Sequence, residues 1–236
     1  MIMKLSIIMP VYNEAATIRE AIRQVQLAVL PDNLERELVV VDDCSTDDSR
    51  TILQTISDTE VKLYFKDKNE GKGSAVRLGF QRATGDIILI QDTDLEYDPA
   101  EYAKLLAPIL AGRADVVFGS RFAGSEAKRV LFFWHAIGNH LLTTFSNLFT
   151  NLNLTDMETC YKVFTREVID SFKDKLSARR FGIEPELTAR VARGHWRIYE
   201  VGISYRGRTY AEGKKVNWRD GLAAFWHIIK FNLFKK

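Results

Sequence analysis

The chain has 236 residues, of which 46% are hydrophobic and 27% are charged, enough apolar material for one large folded domain. Its 33 lysines and arginines against 31 aspartates and glutamates give a net charge of +2, which argues against a non-specific nucleic-acid binder. The two cysteines, Cys44 and Cys160, cannot form a disulfide framework and lack metal-site spacing, so we expect a reducing, cytoplasmic environment.

The first half of the chain alternates short apolar segments with amphipathic ones, a pattern typical of an α/β fold with a parallel sheet. Residues 37–41 contain consecutive valines, as expected of a strand that is buried on both faces. The predicted elements are, in chain order, strand 5–9, loop 10–14, helix 15–28, strand 37–41, loop 42–46, helix 47–56, strand 61–65, helix 72–83, strand 86–90, helix 99–110, strand 114–118, helix 165–171, helix 184–192, strand 196–204, loop 207–217 and helix 222–234. No repeat or flexible linker separates them, so we expect a single domain over residues 1–236.

Three carboxylates follow the predicted strand 86–90 directly. Asp92, Asp94 and Glu96 occupy alternating positions, on what we expect to be extended chain leaving the sheet. Ligand sites in open α/β sheets form outside the carboxyl ends of the strands. Carboxylates there can hold Mg²⁺ or Mn²⁺, which in turn neutralises a diphosphate. An acidic, solvated turn is the alternative interpretation.

Two further polar loops follow predicted strands in the same way. Residues 8–14 read Ile-Met-Pro-Val-Tyr-Asn-Glu, and residues 40–47 read Val-Val-Asp-Asp-Cys-Ser-Thr-Asp. Asn13 in the first loop and Ser45 or Thr46 in the second could simply cap helices. Helix caps do not require two adjacent aspartates, however, so the loops also remain candidates for ligand binding.

A fourth loop places glycines and cations at the start of a predicted helix. Residues 68–77 read Lys-Asn-Glu-Gly-Lys-Gly-Ser-Ala-Val-Arg. A helix start of this kind can contact phosphate through its backbone N–H groups and dipole. The spacing matches neither the dinucleotide fingerprint nor the P-loop, which disfavours a nicotinamide-dependent dehydrogenase.

Together with Gly119-Ser-Arg121, these four loops resemble a family 2 glycosyltransferase with the GT-A fold. The motifs P-x-Y-N-E, V-D-D-x-S-x-D, N-x-G-x-G and D-x-D-L-x match, in order and approximate spacing, the branch of polyprenyl-phosphate (dolichyl-phosphate) mannose or glucose synthases. The resemblance covers roughly the whole chain. It implies a Rossmann-like, mostly parallel central sheet flanked by helices, with amphipathic C-terminal helices. Residues 1–122 would bind the nucleotide sugar and residues 123–236 the acceptor.

The resemblance also implies roles for individual residues. The nucleotide would be bound by Pro10, Tyr12, Glu14, Asp42, Asp43, Lys72 and Asp92. The metal, Mg²⁺ or Mn²⁺, would be bound by Asp94 and Glu96. Residues acting directly in catalysis would be Asp92, Asp94 and Arg121. The acceptor phosphate would be bound by Arg121, Arg129, Thr159, Lys162 and Arg208.

The sequence departs from the branch pattern in three places. Glu96 stands where glutamine is usual, and the added charge would favour tighter metal binding. Cys44 stands where glycine is usual, and we interpret it as a tolerated small residue. Residues 156–162 align with the motif D-x-x-S-G-F-[RK], but Thr159 and Cys160 replace its serine and glycine. How this segment holds the acceptor therefore stays open.

The activity that the resemblance implies is metal-dependent, inverting transfer of a sugar from a GDP- or UDP-sugar to polyprenyl or dolichyl phosphate. A phosphate acceptor is already ionised near neutral pH and needs no strong base. A glycan or other hydroxyl acceptor would need one, and Glu158 or Asp156 would then be the candidate. A nucleotide-sugar-binding module without turnover is the alternative from another class.

An uncharged segment, residues 130–155, contains no Asp, Glu, Lys or Arg but many aromatic residues. We expect this segment and the helix 222–234 to lie against a membrane surface or a membrane partner protein, with Trp134, Trp218 and Trp226 at the interface. Ordinary core helices are the alternative. The chain start lacks a signal-peptide pattern, and 18 consecutive apolar residues occur nowhere, so we expect no membrane-spanning helix.

The expected location is therefore the cytoplasmic face of a membrane, with the protein peripheral to it. The expected partners are a nucleotide-sugar donor, a polyprenyl-phosphate lipid and a membrane surface or membrane protein, and no nucleic acid. The basic loop 205–216 is expected to close on the diphosphate. His135 and His140 lie on the amphipathic segment, where histidines more often pack than bind metal.

Overall fold

The centre of the molecule is a seven-stranded sheet. The computed structural model describes residues 3–31, 34–125, 127–130, 132–213 and 218–234. In chain order the strands are β1 (Met3–Val11), β2 (Leu34–Asp42), β3 (Val61–Phe65), β4 (Ile87–Ile90), β5 (Val116–Ser120), β6 (Lys162–Thr165) and β7 (Ile198–Gly202). Across the sheet their order is β3-β2-β1-β4-β6-β5-β7. Neighbouring strands are parallel except at β6, which is antiparallel to β4 and β5. The predicted α/β fold with a mostly parallel sheet is confirmed.

Helices alternate with these strands along the chain and pack against the sheet. In chain order they are α1 (Ile18–Leu27), α2 (Ser49–Gln54), α3 (Lys72–Arg82), α4 (Tyr102–Leu110), α5 (Phe133–Thr150), α6 (Arg166–Phe172), α7 (Ile183–Arg193) and α8 (Trp218–Ile229). A 3-10 turn at Pro99–Glu101 leads into α4, and a π-helical turn at Lys230–Phe234 follows α8. The predicted helix 222–234 is therefore two pieces. The predicted helix 15–28 begins only at Ile18, after a turn.

The register of the central strands brings their carboxyl ends to one edge. Ile8 of β1 lies opposite Val39 of β2 on one side and Ile90 of β4 on the other. These strands form the middle of the core, and all three residues are fully or almost fully buried. Because the three strands are parallel, the loops that follow them leave the sheet side by side. This edge is where the sequence predicted the ligand site.

Two features of the sheet were not predicted from the sequence. β1 continues through Pro10 and Val11, which were expected in a loop. Pro10 is tolerated because the pairing of β1 with β4 ends at Ile8, so on that side no ladder hydrogen bond is lost. The strand β6 was missed because it has only four residues and begins with Lys162, a residue type that is seldom buried.

The uncharged segment forms α5, which packs against α8. Leu142 and Phe145 on α5 meet Phe225 and Ile228 on α8 in a small apolar cluster. The outer side chains of the two helices are exposed; we call them the apolar ridge, and they are Phe133, Trp134, Leu141, Leu148, Leu222 and Trp226. Among the described residues, no helix has the length and apolar character needed to cross a membrane. Leu131, Lys235, Lys236 and the side chain of Trp218 lie outside the described part of the chain.

Candidate active site

The loops after β1 and β2 are joined to each other by hydrogen bonds. The backbone N–H of Asn13 donates to Ser45 Oγ at 3.0 Å, and the N–H of Thr46 donates to Asn13 Oδ1 at 2.8 Å. Asn13 and Cys44 have φ values of 52° and 61°, so both loops turn through the left-handed region. Neither Asn13, Ser45 nor Thr46 caps a helix: the residues before α1 and α2 are Thr17 and Asp48. The polar loops therefore form one rigid rim.

Asp42 and Asp43 are buried beneath this rim and organise it. Asp42 accepts the backbone N–H of Ser45 at 3.2 Å. Asp43 accepts from the ammonium of Lys66 and from the backbone N–H of Gly71, at the start of α3. Both carboxylates are at most 1% exposed. Their predicted contact with the nucleoside stays a prediction, while their hydrogen bonds fix the loops that would surround it.

The other predicted nucleoside residues lie at the same edge of the sheet. Pro10 is buried at the end of β1, where its carbonyl accepts a hydrogen bond from Thr93 Oγ1 at 3.3 Å. Tyr12 lies at the rim and is 39% exposed. Glu14 is directed toward Arg208, and its Oε2 lies 3.5 Å from Nη1 of the guanidinium. The β1 loop therefore reaches the carboxylates that follow β4.

The acidic segment after β4 is a turn and not the extended chain that the sequence suggested. Leu95 has a φ of 63°, and the N–H of Glu96 donates to Asp94 Oδ1 at 3.2 Å. The turn separates the three carboxylates into two groups. Asp92 pairs with Lys72 at 2.8 Å, whereas Asp94 and Glu96 both face Arg208.

Arg208 is the cation of this second group. Its Nη2 lies 3.2 Å from Asp94 Oδ2 and its Nε 3.5 Å from Glu96 Oε1. Its backbone N–H also donates to Glu96 Oε1 at 2.8 Å. Burial and the negative charges of Asp92 and Glu96 raise the pKa of Asp94 to about 7, although Arg208 opposes this shift. In the described part of the chain, the carboxylates of Asp94 and Glu96 therefore outnumber the single cation that faces them, Arg208, a condition that favours cation binding.

These carboxylates fit a magnesium or manganese site of the kind that a substrate completes. Among the described residues, no group of three or more His, Cys, Asp and Glu side chains could hold a metal ion. Mg²⁺ in phosphate-handling sites is commonly held by one or two carboxylates together with substrate phosphates and water. Asp94 and Glu96 supply hard oxygen ligands of that type. His135 and His140 instead pack against aromatic rings, those of Phe132 and Phe122.

Arg121 is oriented by two neighbours. Its Nε and Nη2 donate to the two oxygens of Asp156 at 2.6 and 2.7 Å, a bidentate pair. Its Cζ lies 5.2 Å from the centre of the Tyr205 ring. The hydroxyl of Tyr205 in turn donates to Glu96 Oε2 at 2.6 Å. A single tyrosine therefore links the predicted acceptor arginine to a predicted metal ligand, a connection that the sequence did not reveal.

The remaining predicted acceptor residues are divided between surface and interior. Arg129 is 45% exposed and donates to Glu212 Oε2 at 2.8 Å. Thr159 is fully buried, and its Oγ1 has no hydrogen-bond partner among the described residues. Arg208, also predicted to contact the acceptor, lies on the carboxylates described above. The role of each in binding the acceptor stays a prediction.

Lys162 was predicted to bind the acceptor phosphate, and its ammonium group lies inside the protein. The side chain is 0% exposed, and Nζ donates to Glu184 and to the backbone carbonyls of Met157 and Thr159. These bonds use its three hydrogens, so none is left for a lipid phosphate. We therefore assign Lys162 to support of the turn that carries Glu158.

Glu184, at the start of α7, was not singled out from the sequence. Its Oε1 lies 3.2 Å from Lys72 Nζ, and its Oε2 accepts from Lys162. A chain of alternating charges therefore runs from Asp92 through Lys72 and Glu184 to Lys162. In the sequence, an acidic residue in the first turn of a helix is ordinary, so only the three-dimensional contacts identify it.

Glu158 was predicted, with Asp156, as a candidate base for a hydroxyl acceptor. Its Oε1 is buried and has no hydrogen-bond partner among the described residues. Burial, followed by the negative charge of Glu184, raises the pKa of Glu158 to about 7, whereas Lys162 and Arg121 act in the opposite direction. A carboxyl group of this kind can release or take up a proton near neutral pH.

Comparisons with known proteins agree with this geometry. Residues 6–172 match the family model described as glycosyl transferase family 2. The chain is 30% identical over 230 residues to the low-salt glycan biosynthesis hexosyltransferase Agl6 of Haloferax volcanii, which covers 97% of this chain and 53% of the relative. It is 37% identical over 121 residues to the dolichol-phosphate mannosyltransferase of Pyrococcus furiosus, which covers 51% of this chain and 34% of the relative. The chain thus spans about half or less of the length of these two relatives.

Among solved structures, the fold is similar to that of glucosyl-3-phosphoglycerate synthase from Mycobacterium tuberculosis in complex with Mn²⁺, UDP and glucosyl-3-phosphoglycerate. The TM-score is 0.73 at 21% identity, and the match covers 99% of this chain and 80% of that one. At this identity the likeness shows the fold alone.

The mostly parallel sheet flanked by helices has the GT-A fold. More narrowly, the chain belongs to glycosyl transferase family 2. The family predicted from the sequence motifs is confirmed.

Proposed function

We propose that this protein transfers a sugar from a nucleotide-diphosphate sugar, with guanine or uracil as the base, to a polyprenyl or dolichyl phosphate. The observation that carries the proposal is the Tyr205 link. It joins Glu96, on the donor side, to Arg121, on the acceptor side, through one hydrogen bond and one ring contact. In the proposed assignment, the metal-binding carboxylate and the acceptor arginine would therefore lie within the width of one side chain.

On the donor side, the charges suit a diphosphate leaving group. Asp94 and Glu96 would hold Mg²⁺ or Mn²⁺, which supplies positive charge to the departing nucleoside diphosphate. Lys72 stands at the start of α3, where the helix dipole also favours an anion. Asp92 holds the Lys72 ammonium in place at 2.8 Å.

On the acceptor side, Arg121 suits a phosphate. Asp156 accepts hydrogen bonds from Nε and Nη2 along one edge of the guanidinium and fixes its plane, so the charge is oriented before any acceptor arrives. Because a phosphate oxygen is ionised near neutral pH, attack at the anomeric carbon needs no strong base, and single displacement inverts that carbon. The dolichol-phosphate mannosyltransferase among the relatives is named for such an acceptor.

The apolar ridge supports a lipid acceptor for a different reason. Trp134 is 75% exposed, Leu148 77% and Trp226 56%, in two helices that pack on each other. Large exposed apolar patches mark interaction surfaces, and tryptophan is favoured where a protein meets a bilayer. We propose that the ridge meets the membrane that carries the polyprenyl phosphate, on its cytoplasmic side.

The test is transfer of radiolabelled sugar into an organic-extractable lipid. Purified protein would be incubated with polyprenyl phosphate, Mn²⁺ and a panel of GDP- and UDP-sugars, with Asp94→Asn as the inactive control. We expect label in the lipid fraction for one donor and none with Asp94→Asn. Label that stays water-soluble with every donor would contradict the proposal.

A second candidate function is transfer to a sugar hydroxyl, which the pKa of Glu158 favours. A hydroxyl acceptor needs a general base that titrates near the working pH, and burial gives Glu158 a pKa of about 7. Glu158→Gln separates the two candidates. Near-full turnover in that variant supports a phosphate acceptor, whereas a loss of roughly a hundredfold or more supports a base.

A further inference from the structure

One arginine already forms ion pairs with the carboxylates that would hold the metal. Besides Asp94 and Glu96, the Arg208 guanidinium faces Glu14, with Nη1 3.5 Å from Glu14 Oε2. The arginine side chain is only 17% exposed, and the three carboxylates are between 10% and 19% exposed. A guanidinium and a divalent cation cannot both neutralise Asp94 and Glu96 in the same space, since they repel each other and need the same oxygens.

We propose that Arg208 is an internal counter-ion that competes with the divalent cation for Asp94 and Glu96 and is released to the donor's diphosphate. The inference rests on the proposed function and adds to it that metal and donor bind cooperatively. Each would bind weakly in the absence of the other. The exchange is balanced in charge, because the metal takes over the carboxylates while the diphosphate receives the guanidinium. Arginine pairs with phosphate oxygens through two parallel hydrogen bonds, so the new partner is a good one.

The loop that carries Arg208 is attached to the rest of the protein in a way that allows this exchange. The loop is held at its outer side by the pairs Arg206–Asp98 at 3.1 Å and Arg129–Glu212 at 2.8 Å. Arg206 is 72% exposed and Arg129 45%, and ion pairs of that exposure contribute little to stability. Gly207 precedes Arg208 and can absorb a change of backbone angles. The guanidinium can therefore leave the carboxylates while the rest of the fold stays in place.

The same geometry limits how far the loop must move. Tyr205 is anchored on Glu96 and beside Arg121, two contacts that do not involve the Arg208 side chain. A rotation of the arginine side chain would free Asp94 Oδ2, the oxygen that lies 3.2 Å from its Nη2. The link between donor and acceptor sides is kept during the exchange.

The experiment measures Mn²⁺ binding without turnover. Free Mn²⁺ would be followed by electron paramagnetic resonance in titrations of the wild type, Arg208→Ala and Arg206→Ala. Each titration would be run alone and with UDP or GDP, with Mn²⁺ binding by the free nucleotide subtracted. Arg206 is the matched control, because it is a neighbouring arginine of the same loop that pairs with Asp98 and with none of the three carboxylates.

We expect the wild type and Arg206→Ala to bind Mn²⁺ weakly alone and at least about tenfold more tightly with the matching nucleotide. Arg208→Ala should bind Mn²⁺ about tenfold more tightly than the wild type without nucleotide, and its gain on adding nucleotide should shrink. Arg208→Lys keeps a cation and should stay close to the wild type, which separates loss of charge from a loosened loop.

Two results would overturn the inference, and they differ. Unchanged or weaker Mn²⁺ binding by Arg208→Ala, in a protein that still binds Mn²⁺ with nucleotide, overturns the competition and leaves the proposed function standing. No Mn²⁺ binding by any variant, even with UDP or GDP, overturns the proposed metal site and the inference together.

Discussion

The hydroxyl of Tyr205 donates a hydrogen bond of 2.6 Å to Oε2 of Glu96, a residue that lies more than a hundred positions earlier in the chain. The tyrosine ring also packs edge-on against Tyr97, with 5.4 Å between ring centres. Burial raises the pKa of the Tyr205 phenol above its ordinary value, so the group stays a hydrogen-bond donor at neutral pH. The C-terminal half of the chain thereby completes a site whose carboxylates come from the N-terminal half.

This contact predicts separate effects for two substitutions of Tyr205. Tyr205→Phe keeps the ring beside Arg121 but removes the bond to Glu96, and a hydrogen bond to a charged group is worth about 1.5–3 kcal/mol. We expect kcat/KM for the donor to fall roughly tenfold while the acceptor KM stays within about twofold. Tyr205→Ala should raise the acceptor KM as well. Steady-state kinetics with each substrate varied in turn would show this, and equal effects of both variants would contradict it.

The buried position of Lys162 predicts a loss of stability and not of acceptor binding. Lys162→Met leaves Glu184 with Lys72 alone, and breaking a buried ion pair costs about 3–5 kcal/mol. Arg129→Met removes a cation that is 45% exposed and should change the free energy of unfolding by less than about 1 kcal/mol. Urea unfolding measures both. A Lys162→Met protein of normal stability with a raised acceptor KM would instead support the phosphate role predicted from the sequence.

The donor side of the site was the more predictable part. Asp42 and Asp43 lie at the end of β2, and Asp92 and Asp94 lie in the loop after β4. Both strands have strong apolar patterns, so the placement of these aspartates at one edge follows from the parallel sheet. The contacts of Glu184 could not be predicted in this way. They join three segments that are distant in sequence, and no local pattern distinguishes a bridging glutamate from an ordinary one at a helix start.

The buried carboxyl group of Glu158 predicts a pH dependence of stability. Its pKa rises from 4.5 to about 7 on folding, so the folded state holds the proton more tightly than the unfolded state. This contribution is complete below about pH 4.5 and is lost as the pH rises through about 7, with a slope of at most about 1.4 kcal/mol per pH unit. Burial and the charges of Glu184 and Asp156 raise the pKa, and Lys162 and Arg121 lower it.

Glu158→Gln removes this titration and leaves the others in place. We expect its free energy of unfolding to decline less than that of the wild type between about pH 5 and pH 7, so that the variant is relatively more stable at alkaline pH. Urea unfolding at several pH values gives the two curves. Parallel curves across this range would show that folding does not raise the pKa of Glu158.

The apolar ridge predicts membrane binding that depends on individual tryptophans. Trp134 and Trp226 are 75% and 56% exposed on α5 and α8, and an aspartate at either place would bring charge to the bilayer interface. We expect the wild type to float with liposomes of anionic lipid and the Trp134→Asp, Trp226→Asp double variant to remain mostly in the soluble fraction. Tyr199→Asp is the matched control, since this aromatic residue is 41% exposed on β7 and outside the ridge. If the double variant floats as well as Tyr199→Asp, the ridge faces something other than the membrane, and a protein partner becomes the better explanation for its exposed side chains.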